Sequence, residues 1–359
     1  MFGIYCHIPY CASKCRYCSF YSKGGSGDVP QGYVDALIRE IWRFEPCGSV
    51  SLRPDTLYFG GGTPSLLTPA QVCEIIDAAG CEQTAEITLE ANPDTVTYEK
   101  LCAYKNAGVN RLSFGVQTAN DDSLKRIGRS HDAKTARAAL EAAQKAGFDN
   151  ISGDVMLALP YYTSAELDAT LDLLSICTHI SAYILKIEPN SIFGKKPPDG
   201  LPSDDEAADF YLEAVDKLAA RGYAQYEISN FAQKRRESRH NLIYWNVHDY
   251  LGIGAAAHSC MGGKRFSTPE NAARFIEKPV EYVQQGVADA ADYIMLKLRL
   301  TSGLSLPALK QKYGVSFTAR QFTFIEQLVK NEMATFDGET LALTPRGLIV
   351  QNSVLMELL

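Results

Sequence analysis

Cys11-Ala12-Ser13-Lys14-Cys15-Arg16-Tyr17-Cys18-Ser19-Phe20-Tyr21-Ser22 is the stretch on which the fold of this chain turns. Its three cysteines are spaced C-x3-C-x2-C and come from one short loop. Four thiolates close a metal or iron–sulfur site, whereas three leave one position open, and an open position is where chemistry happens. The apolar run Phe2 to Ile8 precedes the loop and is broken by Pro9, which reads as a strand feeding a ligand loop. Tyr17 and Phe20 are expected to shield a cluster from water. The bland alternative is a zinc knuckle or three buried thiols. Zinc pairs usually come as two separated C-x2-C units or with histidines at fixed spacing. Here the nearest histidine, His7, lies before the loop, Ser19 and Phe20 add no thiol, and Cys6 reads as a core thiol on the strand.

The 359 residues are 46% hydrophobic and 21% charged, enough to bury a sizeable core. A net charge of -7 leaves no basic footprint for nucleic acid. The ligand loop begins too near residue 1 to leave room for a signal peptide. The uncharged stretches Leu173–Leu185 and Tyr250–Gly263 are shorter than a membrane span needs. The cysteines outside the loop, Cys6, Cys47, Cys73, Cys81, Cys102, Cys177 and Cys260, are scattered through apolar patterns and are expected to be buried free thiols. That usage fits a cytoplasmic protein, and a reducing compartment suits an oxygen-sensitive cluster.

Strand-like runs at 3–8, 56–59, 86–90, 111–116, 151–157 and 180–187 alternate with helices. Thr68-Pro69-Ala70-Gln71, Thr163 with Glu166, and Ser203 with Glu206 read as capping boxes, and Asp132 opens a helix that Gly147 closes. Such alternation implies a parallel sheet of about six β-α units, short of the eight of a closed barrel. The expected fold is an α/β open, partial β/α barrel over residues 1–230. A connecting region follows over 231–285, then a small, mostly helical, winged-helix-like domain over 286–359, with a hairpin turn at Phe336-Asp337-Gly338-Glu339.

In parallel α/β folds, ligands gather at the carboxyl ends of the strands. Those ends carry Gly60-Gly61-Gly62-Thr63-Pro64-Ser65, then Glu90-Ala91-Asn92-Pro93, then Gly115-Val116-Gln117, with Arg129-Ser130-His131-Asp132 beyond, and Asp154 on the fifth strand. Glycines permit close backbone approach. A Glu, a Gln, an Arg and an Asp on one rim suit a zwitterionic nucleoside, although singly each fits a cap or a surface position.

The cysteine loop resembles that of the radical S-adenosylmethionine (SAM) superfamily, in which three cysteines hold three irons of a [4Fe-4S] cluster and SAM chelates the fourth. The resemblance implies Cys11, Cys15 and Cys18 as cluster ligands. Together with Tyr5-Cys6-His7-Ile8-Pro9, Asp154 to Pro160 and Ile187-Glu188-Pro189, the strand-end motifs are similar to one branch, the oxygen-independent coproporphyrinogen III oxidases and their relatives, the HemW heme chaperones. By that resemblance Tyr5, Tyr17, Gly61, Glu90, Gln117, Arg129 and Asp154 contact SAM. Gly61, Gly62 and Thr63 stand where the family holds the SAM amino group with a Gly-Gly-Glu turn, and Thr63 departs from that Glu.

Two features point to the chaperone side. The oxidases carry an N-terminal extension and a fourth cysteine in a C-x-C ending, whereas this chain reads Cys18-Ser19-Phe20. Arg239-His240-Asn241-Leu242-Ile243-Tyr244-Trp245 contains the H-N-x-x-Y-W motif associated with heme in that branch. The resemblance implies His240 as an axial ligand, with Asn241, Tyr244 and Trp245 around the macrocycle and His258 as a lesser candidate. It also implies heme as cargo and an apo-hemoprotein acceptor such as a respiratory enzyme at the membrane; the charge and the short apolar stretches add the expectation of no nucleic-acid partner, no transmembrane segment and at most a passing contact with a membrane surface. The alternative within the family is the oxidase reaction, radical decarboxylation of propionates to vinyl groups.

Overall fold

The computed structural model describes residues 1–44 and 53–359, so Cys47 lies outside the described residues. Twelve strands form one open sheet, and a three-stranded sheet stands apart near the C-terminus. In chain order the first eight are β1 (Phe2–Ile8), β2 (Thr56–Gly61), β3 (Glu86–Ala91), β4 (Arg111–Gln117), β5 (Ile151–Leu157), β6 (His179–Ile184), β7 (Ala224–Glu227) and β8 (Asn230–Ala232). The rest are β9 (Asp249–Ile253), β10 (His258–Met261), β11 (Lys264–Ser267), β12 (Val283–Val287), β13 (Leu304–Ser305), β14 (Ala334–Phe336) and β15 (Thr340–Leu343).

β1 to β6 lie side by side and parallel, each joined to the next through helical segments. A sheet covered by helices is buried on both faces, so its strands read as near-continuous apolar runs. Leu57 and Phe59 on β2, and Leu112, Phe114 and Val116 on β4, are fully buried accordingly. β6 ends at Ile184, not at 187: the last bond of the ladder runs from Leu185 N–H to the Leu157 carbonyl, and the chain then leaves the sheet. β12 and β7 terminate the order, so the sheet does not close.

The region expected as a connector, 231–285, instead builds sheet. β9 pairs in parallel with the free edge of β1, Phe2 opposite Asp249 and Cys6 opposite Ile253, and β10, β11 and β12 continue outward antiparallel. β1, the first strand of the chain, is therefore an interior strand. The C-terminal region has its own apolar core, with Leu298, Leu304, Ile325 and Leu341 at its centre. It contains helices Ala290–Lys297, Leu306–Tyr313 and Ala319–Lys330 and the sheet β13-β15-β14. The Asp337 carboxylate accepts from the N–H groups of Glu339 and Thr340, which tightens the β14–β15 hairpin. The final helix divides into Pro345–Ile349 and Gln351–Leu358.

Helix caps agree with the local chemistry at Thr68 and Ser203, where both reciprocal bonds form. At Thr163 only half the box forms. The Glu166 side chain does not return to the Thr163 N–H; its carboxylate is buried and accepts from Thr118, Asn120 and Ser123, tying the loop after β4 to the following helix layer. Among the described residues no helix is long and apolar enough to cross a membrane.

Candidate functional site

The carboxyl ends of β1 to β5 form a rim over which the cysteine loop folds. The loop is pinned at its base by Lys23 N–H to the Pro9 carbonyl (2.7 Å) and Cys11 N–H to the Lys23 carbonyl (2.9 Å). It is pinned across the rim by Arg16 N–H to the Ile127 carbonyl (2.9 Å). Cys11 is buried, Cys15 and Cys18 are half-buried, and all three line one cavity together with Tyr17, Gly61, Gly62, Thr63, Glu90, Gln117, Arg129 and Asp154. Among the described residues no three ligating side chains converge closely enough to hold a single ion. The three thiols line one cavity together. Phe20 also lines this cavity but is 66% exposed, so it stands at the edge and not over the thiols as a buried cover.

The glycine turn after β2 has a steric reason. Gly61 has φ +113°, and a Cβ there would lie 2.6 Å from the His7 ring; one on Gly62 would lie 2.6 Å from the Tyr10 carbonyl oxygen. Only glycine gives a bare backbone ledge at this height. Gly61→Ala is expected to lower stability by more than about 1 kcal/mol and to displace the ledge, which thermal unfolding beside SAM equilibrium dialysis would show. Thr63 supports the ledge. It is buried, its N–H is spent on the Tyr10 carbonyl (2.8 Å), and its hydroxyl accepts from the Asn92 amide (3.3 Å).

Glu90 accepts from Tyr58 Oη–H (2.8 Å) and from Gly61 N–H (3.2 Å). Burial pushes its pKa up to about 7, and that of Asp154 up to about 6. Arg129 donates to the Asn92 side chain (2.8 Å) and the Gly115 carbonyl, and its Nη1 lies 3.5 Å from Cys15 Sγ. Gln117 is buried in the left-handed region (φ 73°), and its Oε1 accepts from Tyr183 Oη–H (2.9 Å). A non-glycine residue held there marks stored strain of the kind found at ligand sites. Sequence reasoning did not single out Asn92, Ser113 and Tyr183, which also line the cavity. Their signal was their position on the same strand ends.

Two expectations are corrected. Tyr5 does not line this cavity: its ring lies over Gly60, its hydroxyl is bonded to His7 Nδ1 (3.0 Å), and it faces a neighbouring apolar cavity. His240 lines none of the cavities described. It is 1% exposed, with Nδ1 bonded to Thr56 Oγ1 (2.6 Å), Nε2 bonded to Tyr244 Oη (2.6 Å), and its ring stacked on Tyr58 at 4.9 Å. Its helix, Arg239–Trp245, plugs the amino-terminal end of the sheet: the Glu86 carboxylate at the start of β3 accepts from the N–H groups of Arg239 and His240, a negative charge at a positive helix end. Asn241 lies on a third cavity behind Glu90 and Asp154, and only Tyr244 and Trp245 of the motif reach the apolar one.

Residues 5–174 match the Radical SAM superfamily, and residues 289–350 match the HemN C-terminal domain. The coproporphyrinogen III oxidase HemN of Escherichia coli, described as a radical SAM enzyme, superposes with TM-score 0.82 over 99% of this chain and 89% of its own, at 23% identity, a likeness of fold. The open sheet with its three-cysteine loop is thus that of a radical SAM protein, a class that implies a [4Fe-4S] cluster and SAM. The curated heme chaperone HemW of Bacillus subtilis is 35% identical over 99% of this chain and 98% of its own length. The heme chaperone HemW of Haemophilus influenzae is 33% identical over 98% and 96%. The chain belongs to the HemW family.

Proposed function

We propose that this chain is a heme chaperone on a radical SAM scaffold, binding a [4Fe-4S] cluster through Cys11, Cys15 and Cys18, SAM on the rim, and heme for transfer to an acceptor hemoprotein. The observation that carries the reading is the end-to-end likeness to curated heme chaperones. The residues fit the cofactors: three thiols face one cavity beside a side-chain-free ledge and two carboxyl groups. Cys11, Cys15 and Cys18 would hold the cluster, which would supply an open iron position and one-electron chemistry beside the ledge. The ledge at Gly61 and Gly62 gives the ligand a backbone to lie against. Glu90, oriented by Tyr58 and Gly61, and Asp154 accept from ribose hydroxyls and offset the sulfonium charge, while Arg129 and Gln117 complete the lining.

That role for the carboxylates sets a pH dependence. SAM favours both in the ionised form, and their raised pKa values of about 7 and about 6 leave them partly protonated near neutrality. SAM affinity should therefore fall several-fold as the pH drops from about 8 to about 5.5, and Glu90→Gln should flatten the upper part of that profile. Isothermal titration across the range checks it.

The function itself is tested by loading anaerobically reconstituted protein with heme, mixing it with an apo-hemoprotein and following transfer by absorbance. A parallel reaction supplies coproporphyrinogen III, SAM and a reductant. Heme transfer without protoporphyrinogen is the expected result. Protoporphyrinogen formed with SAM turnover would sink a chaperone-only reading.

A further inference from the structure

A second cavity, of about 360 Å³, opens beside the rim and has no part in the chemistry above. Its back wall is the end of the plug helix, Tyr244 and Trp245. Its floor comes from the part of the chain expected to be a connector. Side chains alternate along strands, so residues two apart share a face. Tyr250 of β9 pairs with Cys260 of β10, Cys260 pairs with Arg265 of β11, and His258 stands two residues before Cys260; all four face the cavity.

The backbone under His258 is built for one position. A Cβ on Gly252 would fall 2.1 Å from the His258 carbonyl oxygen, so only glycine lets β10 fold back this tightly on β9. The turn before it holds Ala256 in the left-handed region (φ 68°), and Ala257 N–H is held by Thr268 Oγ1 at 2.9 Å. Three histidines line the cavity. His7 has both ring nitrogens bonded, to Tyr5 Oη and the Tyr21 carbonyl, each at 3.0 Å. His248 is half-buried with no ring hydrogen bond among the described residues, but it lies in the turn before β9 and not on the strand face that carries Tyr250, Cys260 and Arg265. His258 is exposed to the cavity and its ring carries no hydrogen bond among the described residues. Ala256 and Ala257 beside it leave the floor flat. At the edge stands Arg265, which shares its guanidinium with Asp292 at 2.9 Å and retains donors for a second carboxylate.

We infer that this cavity is the tetrapyrrole site, with His258 as the axial ligand to heme iron, the Tyr244 and Trp245 rings against the macrocycle, and Arg265 for a propionate. The inference rests on the heme-chaperone reading and gives the cargo a place. Imidazole is a common axial ligand, and stacked aromatic walls suit a flat apolar ring. The cavity is a cleft and not a closed chamber, so one edge of the ring stays outside, as delivery requires.

The test is a ferric heme titration of the full-length, cluster-loaded protein, followed by Soret absorbance and by fluorescence. The chain has two tryptophans, so in a Trp42→Phe background Trp245 alone reports. Expected are saturable binding with quenching of Trp245, weakening of at least about tenfold with a shifted Soret band in His258→Ala, and recovery of the band with added imidazole. Iron-free protoporphyrin IX should quench Trp245 equally in both proteins. Unchanged heme affinity and spectrum in His258→Ala, or loss in His248→Ala with His258→Ala unaffected, would overturn the assignment while leaving the chaperone reading intact. No saturable binding by the wild type would overturn both.

Discussion

Cys15→Ser protein, reconstituted anaerobically with iron and sulfide, is expected to stay colourless while unfolding at close to the wild-type temperature. The two halves of that expectation have separate causes. Cys15 is half-buried on a loop, outside the apolar core, so removing its sulfur opens no cavity among packed side chains. The loop is held by backbone bonds at Lys23, Arg16 and Ser26 that the substitution leaves intact. A serine hydroxyl, by contrast, is not deprotonated near neutrality and is a poor ligand for iron, and the remaining two thiols cannot hold a cubane whose fourth iron is already open. The brown absorbance of the cluster should therefore vanish, and SAM binding with it. A cluster spectrum that survives would show that the thiolates at Cys11, Cys15 and Cys18 are not its ligand set.

His240→Ala should act in the opposite way, costing stability and not a ligand. The imidazole bridges Thr56 and Tyr244 inside the floor of the sheet and stacks on Tyr58. Truncation leaves a void and two buried hydroxyls without their partner, a loss of about 3 kcal/mol. Burial depresses the histidine's pKa to about 3, below the ~6.5 it has in the unfolded chain. The unfolded state then binds more protons between those values, so this contribution to stability is complete above about pH 6.5 and drains away as the pH falls toward about 3. Denaturant unfolding at several pH values should show wild type losing stability through that window and the variant losing less of it. Wild-type stability combined with loss of heme binding would instead restore His240 as the iron ligand.

What could be read from the chain alone follows the range of the interactions involved. The cysteine spacing, the glycine turn and the six β-α units are local patterns, and each appears where its residues imply. The Thr68 and Ser203 caps are local as well, whereas at Thr163 the Glu166 carboxylate is drawn to three hydroxyl and amide donors far along the chain, which no capping pattern reveals. β9 to β12 escaped notice because they are strands of four or five residues with many polar side chains, whose assignment depends on β9 pairing with β1 at the other end of the sequence. His240 misled for the same reason. An H-N-x-x-Y-W string looks like a ligand until Thr56 and Glu86, from strands far earlier, are seen to occupy it.

The place of β1 between β2 and β9 also governs the order of events on the ribosome. The strand is made well before β9, so one of its edges stays bare until the chain has been extended through residue 253. Loop closure over so long a span is entropically slow. Through most of synthesis the nascent chain thus carries an apolar strand with one bare edge, leading straight into its three thiols, an edge open to stray strand pairing and aggregation. A chain that stops short of β9 would keep that liability for good.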